Sequence, residues 1–168
     1  LVLVIFFDNA PDPQVEVPLG DFFLFGHGIL VDVNTIPLQV SRQPHIEAPP
    51  FRGSMNCMFP MPFYRTAALG FRNGSAEGAM LYYYIDWEQH KASTEPVLYF
   101  HATLNQEFTR PPLQQPMVPH GQINDKLINP AHTENYCFLD IDGCEGHYVG
   151  TGLSIQCDPD GAGKWWEG

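Results

Sequence analysis

The 168 residues carry 8 Lys and Arg against 19 Asp and Glu, a net charge of −11, and 44% of them are hydrophobic, enough for a core. Such acidity excludes the long basic face that neutralises nucleic-acid phosphates or docks on anionic membranes, and leaves neutral polar ligands open. The apolar start, residues 1–7, is far shorter than the roughly 18 residues a membrane-spanning helix needs, and neither a basic leader nor a cleavage site accompanies it.

Sixteen prolines and fifteen glycines predict many turns and little helix, because Pro lacks a backbone donor and Gly is entropically costly inside regular elements. Short β-branched and aromatic runs bounded by Gly, Pro, Asn and Asp predict an all-β chain. Residues 1–7 read as a strand, Asp8-Asn9 and Pro11 as a turn, and Val15-Glu16-Val17 as a second strand. Residues 22–25 continue this strand pattern. Residues 67–71 and 80–87 flank Asn73-Gly74, a pair that tolerates positive φ, and so predict a hairpin.

Residues 97–103 predict another strand, 110–119 a Pro-rich surface loop, and 129–134 a turn. Residues 136–141 lead through Asp142-Gly143 into a strand over 147–157, with Val149, Thr151, Leu153, Ile155 and Cys157 on one face. No internal repeat or linker divides the chain, so one antiparallel β-sandwich over 1–168 is expected, with a jelly roll preferred over other Greek-key forms. The lack of an initiator Met and the end at Gly168 lead us to expect a piece of a longer protein.

Cys57, Cys137, Cys144 and Cys157 form no CxxC pair, and free thiols are expected, with a Cys137–Cys144 bridge across a hairpin as the exception. The seven histidines show no HxH or HxxxH spacing, and Gly-rich nucleotide loops and Gly-x-Ser-x-Gly are missing, so neither a metal nor another cofactor is expected. What remains is a set of polar residues beside aromatics: Asp21 before Phe22-Phe23, His101 after Tyr99-Phe100, Asn105, and Glu167 after Trp165-Trp166. Sugars are bound by such sets, ring faces packing on aromatics while carboxylates, amides and imidazoles take hydroxyls. Each also has a plain structural reading: the indoles as core, His101 as a buried and paired histidine, Asp21 as a turn cap.

Taken in order, VEVPLGDFFLFGHG (15–28), FPMPF (59–63), YFHATLN (99–105), HYVG (147–150) and WWEG (165–168) resemble glycoside hydrolase family 172. The resemblance implies a double jelly roll whose first roll is this chain, the second starting near 160–168, and trimeric or hexameric assembly. It further implies retaining chemistry on furanosides of the α-D-fructofuranoside or D-arabinofuranoside type. Glu167 matches the family's glutamate of the Trp-Trp segment and is the expected nucleophile. The acid/base partner is expected beyond Gly168, leaving this piece inactive alone. Asp21, His101, Asn105 and Trp166 are the expected sugar-binding residues. The alternatives are a non-catalytic carbohydrate-binding jelly roll and a capsid-like assembly module.

Overall fold

A computed structural model describes residues 1–43, 52–91, 96–107 and 136–156. The chain divides into two compact units, Leu1–Leu104 with Gly152–Ser154, and Asn105–Thr151 with Ile155–Gly168. Regular structure among the described residues is mostly strand, in two small antiparallel sheets of the first unit with little helix.

The first sheet has the order β2-β1-β6, built from β1 (Val2–Phe7), β2 (Val15–Pro18) and β6 (Ala67–Arg72). In β1 the alternation of VLVIFF sends Leu3, Ile5 and Phe7 inward, as a period of two requires. β2 pairs antiparallel to it with Leu3 opposite Val17 and Ile5 opposite Val15, so Val15 and Val17 join the same buried face. The turn between them is made at Asp8 and Asn9, whose φ of 52° and 57° lie in the left-handed region these two residue types tolerate. On the other side β6 runs with Leu3 opposite Phe71 and Ile5 opposite Leu69.

The second sheet contains β3 (Val33–Asn34), β4 (Leu38–Arg42) and β5 (Gly53–Cys57), with β4 central. Thr35 closes the β3–β4 reversal: its hydroxyl donates to the Leu38 carbonyl at 2.8 Å and accepts the Leu38 N–H at 2.9 Å. Leu38 and Val40 point inward and join Leu3, Ile5, Phe7, Val15, Val17, Phe22 and Phe23 in one buried cluster fed by both sheets.

Residues 22–25 are not a strand. Leu19–Phe22 forms one helical turn, α1, and Leu24 follows at φ 66°. Phe22 and Phe23 are both buried, which a strand cannot do with adjacent side chains on one sheet face. The hairpin around Asn73-Gly74 forms only in part: β6 is its first arm, while residues 80–87 pair in no ladder and Tyr84 is 97% exposed. The turn is closed instead by a side chain, Asn73 Oδ1 accepting the Ser75 N–H at 3.1 Å and Asn73 Nδ2 donating to the Glu77 carbonyl at 2.7 Å.

Residues 97–103 contribute a single parallel bridge, Ala102 to Val15, and not a full strand. The described parts of 136–141 and 147–157 carry no strand, and Gly143 lies at φ 68° in a bend between them. Cys137 and Cys144 are free and exposed, so no bridge joins them. The loop at 110–119, the turn at 129–134 and Cys157 lie outside the described residues.

Candidate functional site

The bridge between Val15 and Ala102 creates an outer surface as well as an inner one. Ala102 donates its N–H to the Gln14 carbonyl at 3.2 Å, and Gln14 is itself held by β1, its N–H reaching the Ile5 carbonyl at 2.9 Å. The Gln14 side-chain oxygen accepts the Phe7 N–H at 2.8 Å, which leaves its amide NH2 as a donor. Val15 and Ala102 face inward together, so Glu16 on one side and His101 and Thr103 on the other face solvent. With Asp12 they line an open cleft of about 450 Å3, whose apolar patches come from Pro13, Ala102 and Leu104.

Glu16 is oriented from across the sheet. Arg72, two residues beyond Gly70 on β6, places Nη2 2.5 Å from Glu16 Oε1. Val4 pairs with both Glu16 and Gly70, and the bare Gly70 has open space where a side chain would stand.

Beneath His101 the chain is clamped by Asp8. Its carboxylate accepts the main-chain N–H groups of Tyr64 (2.8 Å), Arg65 (2.5 Å) and Thr66 (2.9 Å), and the Tyr99 hydroxyl at 2.7 Å. Partial burial would raise the Asp8 pKa, but the bonds from Thr66, Tyr64, Tyr99 and Arg65 outweigh it and hold the carboxyl well below its ordinary range. The Tyr99 hydroxyl is pushed above its ordinary value, first by donating to Asp8 and then by burial. Phe100, between Tyr99 and His101, lies 5.0 Å from the Phe59 ring and 6.3 Å edge-on to Phe22.

His101 is therefore exposed on the cleft and not a buried, paired histidine. Asp21 is placed elsewhere, inside α1, where its carbonyl takes the Leu24 N–H at 3.1 Å; Pro18, not Asp21, is the N-cap. It sits beside Gly26, whose N–H donates to Ser154 Oγ at 3.2 Å. Asn105 belongs to the second unit, where its amide donates to the Cys137 carbonyl at 2.9 Å and its own carbonyl accepts the Tyr136 hydroxyl at 2.6 Å. Trp165, Trp166 and Glu167 lie outside the described residues. Among the described residues no group of three or more His, Cys, Asp or Glu is gathered as metal ligands would be, and no helix is long and apolar enough to cross a membrane.

Asp12, Gln14, Glu16 and Thr103 were not singled out from the sequence. The alternation of Val15-Glu16-Val17 does carry the outward aim of Glu16, but what faces it depends on a contact made 87 positions apart, as the pairing of residues 15 and 102 shows. A scan against protein-family models, a search of curated proteins and a search of solved structures each find no match to this chain.

Proposed function

We propose that this chain is the sugar-facing β scaffold, a first jelly roll, of a retaining glycoside hydrolase or transglycosylase acting on furanosides. Support comes from the convergence of the segments that carry the family resemblance. Phe22 from the first, Phe59 from the second and Phe100 from the third pack ring against ring, and that contact turns His101, the neighbour of Phe100, outward onto the cleft. Three stretches far apart in sequence thus share one core, and the first and third of them line the cleft.

On this reading the cleft supplies directional partners for hydroxyls: carboxylates accept, while the Gln14 amide and the His101 imidazole donate. Glu167 supplies the nucleophile that attacks the anomeric carbon, and a second carboxyl protonates the leaving oxygen. Retention needs the two carboxyls roughly 5–5.5 Å apart. Following the anomeric configuration of the first-formed sugar by NMR, with the complete protein and an aryl furanoside, tests the proposal. Retention supports it; inversion, or cleavage of pyranosides in preference to furanosides, overturns it.

A further inference from the structure

We infer that the cleft between β2 and residues 101–104 selects uncharged sugars and rejects phosphorylated or other anionic ones, with Asp12 as the selecting residue. The inference rests on the sugar-binding reading above and deepens it by naming the charge class of the ligand. Of the described side chains lining the cleft, two are carboxylates and none is Lys or Arg. A phosphate or carboxylate site shows the reverse, since anions are held by Arg forks, Lys ammonium groups or clustered main-chain N–H donors.

Arg72 is engaged with Glu16 at 2.5 Å and is not among the lining residues, so that pair is close to neutral, while Asp12 has no ion-pair partner among the described residues and carries the uncompensated negative charge. The main-chain donors at hand are occupied too: the Ala102 N–H goes to Gln14, and the three successive N–H groups of Tyr64, Arg65 and Thr66 go to Asp8. What the cleft still offers is the Gln14 amide NH2, the His101 imidazole, the Thr103 hydroxyl and the two carboxylates, a set matched to hydroxyls. The net charge of −11 extends the same repulsion to approaching anions.

The test is a titration of this chain with methyl α-D-arabinofuranoside and with its 5-phosphate, read from the His101 imidazole resonances, at low and at physiological salt. The neutral glycoside is expected to bind about five- to tenfold more tightly at low ionic strength, with the ratio shrinking as salt is added, as solvent-exposed charges dictate. Asp12→Asn, which keeps a carbonyl acceptor at that position, should bring the two affinities to within about twofold of each other; unchanged discrimination in this variant overturns the role of Asp12. Equal or tighter binding of the phosphate by the unaltered chain overturns the charge selection and leaves the sugar-binding reading standing. A lack of response to either glycoside at His101 overturns both.

Discussion

Asp8 and Tyr99, 91 positions apart, are joined by a hydrogen bond of 2.7 Å from the tyrosine hydroxyl to the carboxylate. The same carboxylate holds the main chain at Tyr64, Arg65 and Thr66, so one side chain ties the β1–β2 turn to the stretch before β6 and to the stretch that carries His101. Removing Asp8 orphans several donors at once, whereas Tyr99→Phe removes one partner and leaves three. Asp8→Ala should therefore lower the urea midpoint more than Tyr99→Phe, and both should broaden the His101 signals. A larger loss for Tyr99→Phe would contradict the hub role of Asp8.

The same clamp gives a pH dependence of definite sign. Asp8 has a folded pKa below its unfolded value, so its contribution is fully present above the unfolded value of about 3.9 and is lost as pH falls through the folded one. The stability gap between the unaltered chain and Asp8→Asn should be constant near neutrality and close progressively below about pH 4. Urea titrations at stepped pH read this gap directly, and a gap that widens on acidification would be incompatible with the clamp.

Packing in the first unit predicts sharply uneven costs. Ile5, 1% exposed and opposite Val15 and Leu69, should lose about 2–5 kcal/mol on change to Ala. Ile36, 93% exposed at the β3–β4 reversal, should change stability by no more than about 0.5 kcal/mol. Equal effects in denaturant unfolding would mean that the buried cluster is not the core.

Two close approaches can be tested with glycines. A Cβ on Gly26 would run into the Ser154 side chain, while Gly70 has open space around the same position. Gly26→Ala should cost about 1–3 kcal/mol, as overpacking does, and regain most of it when combined with Ser154→Gly. Gly70→Ala should be neutral or stabilising, because a strand glycine without steric demand only adds entropy to the unfolded chain.

The strands β1 and β2 were legible because their buried residues alternate, and the turn between them because Asp8 and Asn9 tolerate positive φ. The alternation of Leu38 and Val40 in β4 carried the same signal but is short and follows a turn fixed by the Thr35 hydroxyl, so it passed unread. Residues 22–25 misled for the opposite reason: aromatic enrichment suggests a strand, whereas burying Phe22 and Phe23 together demands a helical turn. Residues 80–87 have strand composition and no ladder among the described residues, which shows that propensity expresses itself only where an edge receives it. At the site, His101 was readable from its place after Tyr99-Phe100. Its companions Asp12, Gln14 and Glu16 come from the other side of a non-local bridge, which local pattern does not encode.

The cleft predicts a residue whose loss separates binding from folding. His101 is exposed, so His101→Ala should leave the unfolding midpoint unchanged within about 0.5 kcal/mol while weakening furanoside binding severalfold. Isothermal titration beside denaturant unfolding checks both halves. Loss of stability with binding intact would make His101 a structural residue.

The account stands most directly on Glu167. Turnover of an aryl furanoside by the complete protein should fall by several orders of magnitude in Glu167→Gln, while the affinity for the neutral methyl furanoside stays close to that of the unaltered protein. Undiminished hydrolysis by Glu167→Gln would contradict the two-carboxyl mechanism proposed for this fold.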